Sequence, residues 1–437
     1  MNTSYHKKNL INKNIVPADV AFIIKRLEKA GFSAFLVGGC VRDLLIKKAV
    51  RDWDIITDAA PGQIKEVFYA YKTILIGKSS LTVTIVLNCK TYQISSLRNN
   101  NGQCLSPKNG ENYQNLKADL ISRDFTIDSI CWSQNTGIID PSEGLKDLSQ
   151  KIIRSIDPDL RFKDDPLRML RAIRLACELD FSIEYATKKS LCKNNFLIQK
   201  VSPERIRNEI KLILSNPKAK KGVLLLYHYG FICKIISLDG IKKTQINIEK
   251  QNKHLLSVLG NKKHDLVFQL AILGRLFYNS CKIAGIFYLP IVRYLKFKKK
   301  TIESVRILLN KEWEYIDFSS NVKIRFILSE FGVINTRRLF LLKKALLETE
   351  KQLYKKHNLK FEETLLEAEI KKNNPVSLSD LAIGGDEVRK MGVPEGKEIK
   401  KILESALREV LINPDNNHKD YLLKYIKIII KENNYMI

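Results

Sequence analysis

The sequence predicts an α+β protein in which an N-terminal domain with a mixed β-sheet precedes helical domains. Between residues 16 and 140, short runs rich in β-branched residues alternate with turns and with amphipathic helical patterns. From residue 141 onward the patterns are helical, with helix starts at Asp165-Pro166 and Ser202-Pro203. A chain of 437 residues is also too long for one ordinary core, so several domains are expected.

Shifts in composition divide the chain into four predicted domains, at residues 16–140, 141–217, 218–360 and 361–437. The last of them is helical but is interrupted by two glycine-containing segments. Within the first domain the patterns predict four strands and two flanking helices: Phe35–Val37, Trp53–Thr57, Leu81–Leu87, Thr91–Ser95, Ala18–Ala30 and Pro61–Tyr71.

The charge balance indicates the class of partner. Lys and Arg total 74 against 47 Asp and Glu, a formal net charge of +27. A protein this basic usually meets a polyanion, and the phosphate backbone of a nucleic acid is the commonest one. Because lysine strongly outnumbers arginine, codon bias in an AT-rich genome is the alternative source of part of this charge.

The cysteines and the apolar runs indicate the compartment. None of the eight cysteines has C-x-x-C spacing, so zinc and redox motifs of that type are not predicted. Residues 1–14 are polar and do not resemble a signal peptide, and no apolar run has the length of a membrane span. We therefore expect a cytoplasmic protein without a membrane partner.

The first informative motif joins a strand to a helix through two glycines, in the stretch Phe35–Asp43. Gly38 and Gly39 allow backbone N–H groups to approach an anion, and the start of the following helix adds partial positive charge. Arg42 lies in the first helical turn, where its guanidinium could bind a phosphate through two donors. Alone, a glycine pair after a strand is often only a tight turn.

The second motif is Asp52-Trp53-Asp54. Alternate residues on a strand point to the same face, so the two carboxylates are expected to project together. Their repulsion would be relieved by a divalent cation, and Mg²⁺ prefers one or two carboxylates plus phosphates. Following the glycine pair, this spacing is typical of a two-metal nucleotidyl transfer site. The alternative is a solvated pair of surface carboxylates beside Arg51.

Two further stretches combine acidic residues with arginines. The first contains Arg123 and Asp124, and the second is a helix on which Asp165, Arg168, Arg171 and Arg174 recur every three residues. A carboxylate and a guanidinium together can pair with the Watson–Crick edge of a base, which would allow base selection by the protein itself. The alternatives are a helix cap for Asp165 and a solvated helix face for the arginines.

These stretches together resemble the family of class II tRNA nucleotidyltransferases and bacterial poly(A) polymerases. The match is most specific over residues 30–215, and the C-terminal glycine segments look like the tail of the CCA-adding branch. The motifs that carry the resemblance are Leu36–Asp43, Asp52–Asp54, Arg123–Ile127, Asp164–Arg168, Ser202–Ile206, Leu381–Asp386 and Gly392–Ile399.

The resemblance implies a catalytic head (16–140), a neck that selects the base (141–217), a body (218–360) and a tail that binds tRNA (361–437). It implies addition of C, C and A to tRNA 3′ ends from CTP and ATP, with Mg²⁺ as the cofactor and without a nucleic-acid template. The implied roles are metal binding for Asp52 and Asp54, and nucleotide binding for Gly38, Gly39, Arg42, Arg123, Asp124, Asp165, Arg168, Arg171 and Arg174.

Several positions depart from the family pattern. Gln93 occupies the place of a third carboxylate, Asp128 replaces an asparagine, and Ser122 replaces an arginine. The loop 99–114 lacks the usual arginine and aspartate pattern, which bears on the switch from CTP to ATP. The alternatives are therefore a poly(A) polymerase, a partial enzyme that adds only CC or only A, and a catalytically weakened RNA-binding relative.

A second hydrolase site is not expected in the body. Many relatives carry a His-Asp phosphohydrolase motif there, whereas Gln269–Arg275 occupies that place without it. The nearby His264-Asp265 pair is interpreted as polar surface residues.

Overall fold

A computed structural model describes most of the chain: residues 11–75, 81–97, 112–235, 252–261, 263–281, 289–310, 316–347 and 353–432. The chain divides into two compact units, residues 1–240 and 241–437. The finer division into four domains stays a prediction. Of the predicted loop 99–114, residues 99–111 lie outside the described part of the chain, and the remainder belongs to a helix.

The first unit contains a seven-stranded mixed sheet with the strand order β3-β4-β5-β2-β1-β6-β7. Strand β2 pairs in parallel with β5, whereas the neighbouring pairs are antiparallel. This confirms the α+β class. The strands are β1 (Ala34–Val37), β2 (Asp54–Thr57), β3 (Lys72–Leu75), β4 (Thr82–Leu87), β5 (Lys90–Ser96), β6 (Cys131–Ser133) and β7 (Gly137–Ile139).

Helices cover the sheet and continue beyond it. A short parallel pair, β8 (Ile152–Ile153) and β9 (Ser182–Ile183), lies among them. The helices of this unit are α1 (Ala18–Lys29), α2 (Gly39–Leu45), α3 (Pro61–Val67), α4 (Asn112–Ile121), α5 (Gly144–Ser149), α6 (Pro158–Asp164), α7 (Leu167–Leu179), α8 (Tyr185–Asn194), α9 (Pro203–Leu214), α10 (Ala219–His228) and α11 (Phe231–Ile235), and 3₁₀ turns cover Lys13–Ile15, Thr126–Asp128 and Asn195–Lys200.

The sheet packs on both faces. One cluster joins Leu36, Ile55 and Ile94 to side chains of α1 and α3, and a second joins Val37 and Ile56 to α4. Along β5, buried residues alternate with the exposed Thr91 and Gln93. The alternation follows from the two-residue period of a strand, and it leaves polar side chains beside the start of β2.

Helix α7 buries an apolar side against neighbouring helices. Met169, Ile173 and Cys177 are fully buried. The helix packs against α9 and α10. The buried face therefore fixes the direction of the intervening arginines, since residues three or four apart share one side of a helix.

The second unit is helical in its described part. Its helices are α12 (Lys253–Ser257), α13 (Leu266–Cys281), α14 (Leu289–Tyr294), α15 (Lys299–Leu309), α16 (Asn321–Leu347, broken at Gly332 with φ 71°), α17 (Leu353–Lys372), α18 (Gly385–Lys390), α19 (Lys397–Ile412) and α20 (Lys419–Glu432), with 3₁₀ turns at Leu378–Asp380 and Pro414–Asn416. Among the described helices, none combines the length and apolarity needed to cross a lipid bilayer.

The segment Gln269–Arg275, in which no hydrolase motif is predicted, has structural contacts. Gln269 and Arg275 are buried, and Arg275 donates to the carbonyl of Leu308. Asp265 is exposed, accepts a hydrogen bond from the backbone N–H of Phe268 near the start of α13, and pairs with Arg338. The half-buried His264 packs against the Phe268 ring.

A buried ion pair connects three helices of the second unit. Arg325 of α16 and Glu369 of α17 lie 3.0 Å apart and are 6% and 2% exposed. The same guanidinium donates to the carbonyls of Leu411 (2.6 Å) and Ile412 (2.8 Å) at the end of α19. These carbonyls have no partner within their own helix, so Arg325 caps α19.

We expect Arg325→Met to destabilise the second unit by about 3–5 kcal/mol, because it removes the buried cation beside Glu369 and leaves that carboxylate with the Asn374 amide at 2.6 Å and Lys372 at 3.7 Å. The control is Arg337→Met, since Arg337 forms an exposed pair with Glu367 and its loss should cost about 0–1 kcal/mol. Calorimetric unfolding of the full chain measures both. Equal effects of the two variants would contradict the capping role.

Candidate active site

A left-handed glycine opens the site between β1 and α2. Gly38 has φ 75°, and its N–H donates to the carbonyl of Ile130 at 3.0 Å. A Cβ placed on Gly38 would lie 3.0 Å from Nη1 of Arg123. The glycine therefore serves both the turn and the close approach of the Arg123 guanidinium.

Asp52 and Asp54 line one cavity at the start of β2, the central strand of the sheet. Strand β2 begins at Asp54, so Asp52 lies just before it rather than within it. Burial raises the pKa of the Asp54 carboxyl, and the nearby Asp52 and Asp128 carboxylates raise it further. The Arg123 guanidinium opposes this shift and does not cancel it.

Gln93 lies beside Asp54 on the neighbouring strand. The two residues are register partners in the parallel pair of β2 and β5. This is the position at which the sequence predicts that a third carboxylate is missing. Within the described residues, no group of three or more histidine, cysteine, aspartate or glutamate side chains could hold a metal ion.

Arg42 is held by two carboxylates. Its Nε and Nη2 donate to one oxygen of Asp43 at 2.9 and 2.8 Å, and its Nη1 donates to Asp128 at 2.6 Å. Arg42 as a whole is only 8% exposed. To bind a phosphate it would have to exchange one of these carboxylates, so Arg123, which lies against Gly38, is better placed for an anion.

The predicted nucleotide-binding pair Arg123-Asp124 connects the head to helix α7. Arg171 of α7 forms an ion pair with Asp124 at 2.8 Å, and Asp124 is buried. Nη2 of Arg123 lies 3.4 Å from a carboxylate oxygen of Asp119. The structure therefore brings Arg171 and the head motif together.

Asp165 lies between helices α6 and α7. Its Oδ1 accepts from the N–H of Leu167 at 3.2 Å, which is the capping role that the sequence leaves open. Its Oδ2 pairs with Arg205 of α9 at 2.8 Å. The side chain of Arg168, one turn further along, makes a long contact of 3.4 Å to the carbonyl of Arg161.

Arg174 stands apart from this group. Its Nη1 and Nε each lie 2.8 Å from a carboxylate, that of Glu178 and that of Glu209 respectively. Glu209 is a buried residue of α9. In this conformation Arg174 joins α7 to α9. It is therefore not part of a solvated helix face, which was the alternative interpretation.

Sequence reasoning missed two contacts in the site. Arg205 belongs to the quoted motif Ser202–Ile206, yet only the structure brings it to Asp165. Asp128 is noted in the sequence as a departure, and its pairing with Arg42 spans 86 positions of the chain. A pairing over that distance leaves no local pattern.

Two protein-family models match the part of the chain that contains the site. Residues 34–154 match the model described as the poly(A) polymerase head domain, and residues 180–236 match a probable RNA- and SrmB-binding site of polymerase A. These matches identify segments of the poly(A) polymerase type in the first unit of the chain. This confirms the family that the motifs predict.

Curated relatives within the family carry the name CCA-adding enzyme. The protein from Pediococcus pentosaceus is 36% identical over 248 residues, which is 56% of this chain and 61% of that relative. The chain spans about half the length of several others, such as that of Lactobacillus gasseri (56%). The relative from Geobacillus sp. is 29% identical over 92% of this chain and 95% of its own.

Solved structures of family members share the fold. A CCA-adding enzyme of Bacillus stearothermophilus in complex with CTP has a TM-score of 0.75 at 24% identity, covering 94% of this chain and 97% of that one. A Thermotoga maritima CCA-adding enzyme complexed with tRNA has a TM-score of 0.66 at 20% identity, covering 98% and 100%.

We expect Gly38→Ala to destabilise the head by about 1–3 kcal/mol, because a side chain at φ 75° is strained and its Cβ meets Arg123. The control is Gly62→Ala, since a Cβ there has nothing within 4 Å and helix α3 tolerates alanine. Thermal unfolding measures both variants. The role assigned to Gly38 is wrong if both alanines prove neutral.

Proposed function

We propose that the chain is a CCA-adding tRNA nucleotidyltransferase, which adds C, C and A to tRNA 3′ ends from CTP and ATP without a nucleic-acid template. The observation that carries the proposal is the Asp52–Asp54 pair beside Gly38 and Arg123, within a head of this family. The names of the relatives and the net charge of +27 support tRNA as the partner.

The carboxylates of Asp52 and Asp54 fit a magnesium ion. They lie close enough to raise the pKa of Asp54, which is a repulsion that a bound cation would remove. Mg²⁺ is usually held by one or two carboxylates together with substrate phosphates, so a third protein carboxylate is not required. When bound, the metal stabilises the charge on the attacking and leaving oxygens.

The chain's own residues orient the reaction. The tRNA 3′ hydroxyl attacks the α-phosphorus of CTP or ATP, pyrophosphate leaves, and the hydroxyl proton passes to solvent. Arg123 and the Gly38-Gly39 turn hold the triphosphate by charge and by backbone N–H donors. Asp124, kept in place by Arg171, contacts the ribose.

Base selection belongs to Asp165 and Arg168 in this proposal. Carboxylate oxygens accept from the amino group of a base, and a guanidinium donates to its ring nitrogen or carbonyl. Arg205 fixes the direction of the Asp165 carboxylate. Arg171 lies one turn after Arg168 on α7. Arg174 supports base selection indirectly, because its pair with Glu209 holds α7 against α9.

We also propose that the protein works in the cytoplasm. Free cysteines support this, because buried thiols such as Cys40 and Cys131 persist in a reducing compartment.

Activity is tested with tRNA that lacks its terminal CCA, labelled CTP and ATP, and Mg²⁺. We expect addition of C, C and A, and Asp52→Ala should lower the rate at least about 10³-fold while tRNA binding stays intact. Sequencing the product separates this function from a poly(A) tail, from CC-only and from A-only addition. Binding of tRNA without any incorporation would favour the alternative of a catalytically weakened RNA-binding protein. Gln93, in place of a third carboxylate, is the residue that supports this alternative.

Base selection is tested by Arg168→Ala. Loss of one two-pronged contact should reduce discrimination for CTP and ATP over UTP and GTP by about 10- to 100-fold. The measurement is kcat/KM for each of the four nucleotides, with Lys163→Ala, an exposed residue of α6, as the control. Unchanged discrimination in the Arg168 variant would refute its role.

A further inference from the structure

A buried ion pair lies against the glycine turn of the site. Asp128 ends the 3₁₀ turn that begins at Thr126, and its Oδ1 lies 2.6 Å from Nη1 of Arg42. Both members of the pair are 8% exposed. A Cβ placed on Gly38 would lie 3.6 Å from the carbonyl oxygen of Asp128. One placed on Gly39 would lie 3.5 Å from Nη2 of Arg42, so the pair borders the turn that is proposed to hold the triphosphate.

The negative charge of Asp128 distinguishes this chain from the family pattern, which has asparagine at this position. An asparagine oxygen could accept the same hydrogen bond from Arg42, because amide and carboxylate oxygens are both acceptors. The two side chains also have nearly the same size, so packing of the turn does not require the aspartate. What the aspartate adds is therefore one negative charge beside Arg42.

This charge reduces what Arg42 can offer to a phosphate. The Nη1 group donates to Asp128, and Nε and Nη2 donate to one oxygen of Asp43. Hydrogen bonds between charged groups are stronger than neutral ones, and burial limits their screening by water. A triphosphate must therefore compete for Arg42 with a carboxylate that is already in place. The competition would be weaker with an uncharged residue at position 128.

The same charge acts on the metal side of the site. Burial is the largest cause of the raised pKa of the Asp54 carboxyl, and the charges of Asp52 and Asp128 raise that pKa further. Negative charge that disfavours an additional anion at Asp54 favours a bound cation there. Asp128 is therefore expected to strengthen the binding of a divalent cation while it weakens the binding of a bare triphosphate.

We propose that Asp128 is a positioning residue that makes nucleotide binding depend on a divalent cation, because it restrains Arg42 and adds negative charge to the metal side. A nucleotide that carries its metal ion brings positive charge toward these carboxylates, whereas a bare triphosphate brings only negative charge. The chain would thereby select the metal-loaded nucleotide, which is the reactive form. The inference rests on the proposed nucleotidyl transfer function.

The test is Asp128→Asn in the full chain, with two binding measurements that involve no turnover. Binding of Mn²⁺ alone is titrated by electron paramagnetic resonance, and binding of CTP in EDTA is measured by isothermal titration calorimetry. We expect the Kd for Mn²⁺ to rise about three- to tenfold and the Kd for metal-free CTP to fall about three- to tenfold. A general loss of structure would weaken both, so shifts of opposite sign are specific to the charge.

The matched control is Asp147→Asn, which perturbs the same turn. Asp147 is 2% exposed, accepts from the Thr126 hydroxyl at 2.7 Å and pairs with Arg154 at 2.9 Å. Loosening of the turn through this variant should not lower the Kd for metal-free CTP. If Asp147→Asn gives the same opposite shifts, movement of the turn rather than the charge of Asp128 explains them, and the proposal is overturned.

Removing both members of the pair gives a second readout and leaves no buried charge without its partner. The double variant Arg42→Gln with Asp128→Asn keeps the net charge of the pair, so the Kd for metal-free CTP should stay within about threefold of wild type. The Kd for CTP with Mg²⁺ should rise about tenfold, because Arg42 no longer contacts the phosphates. Equal losses in the two conditions would show that Arg42 is not restrained in the wild-type chain.

The wild-type chain separates the possible failures. If it binds neither Mn²⁺ nor CTP with Mg²⁺, the proposed function fails. If it binds both, and Asp128→Asn changes neither constant or shifts both in the same direction, the role of Asp128 is wrong while the function stands.

Discussion

Repulsion between two neighbouring carboxylates is the constraint on which the site depends. Asp54 begins a strand in the middle of the sheet and is partly desolvated, and Asp52 lies two residues before it. Such a pair is unfavourable without a counter-charge, and Arg123 supplies only part of one. A divalent cation bound with a triphosphate would complete the balance. The absence of a side chain at Gly38 leaves room for Arg123, whose charge acts on Asp54.

Local patterns predicted most of the head. The four predicted strands appear within one residue of their expected bounds, because β-branched runs ended by turn residues are strong local signals. The start of β2 differs, since the structure begins the strand at Asp54 and leaves Asp52 in the preceding segment. The sequence patterns did not predict strands β3, β6 and β7. Short strands without clear alternation of apolar and polar residues resemble loops.

Long-range contacts could not be predicted from one sequence. The register that sets Gln93 beside Asp54 depends on a parallel pairing across the intervening hairpin, and the Arg42–Asp128 bond joins distant segments. Spacing suggested that the arginines of α7 act together, yet Arg174 pairs with Glu178 of the same helix and with Glu209 of α9. Side-chain partners on a helix depend on the packing of neighbouring helices, which a periodic pattern does not encode.

Direct metal binding tests the central claim most closely. Mn²⁺ can replace Mg²⁺ and be titrated into the full chain by electron paramagnetic resonance, without any turnover. The account predicts that Asp54→Asn weakens Mn²⁺ binding at least about tenfold. Asp58→Asn should leave it unchanged, because the Asp58 carboxylate, whose pKa burial also raises, accepts from the N–H of Ser33 outside the site. Equal Mn²⁺ affinity in wild type and Asp54→Asn would contradict a metal site at Asp52 and Asp54.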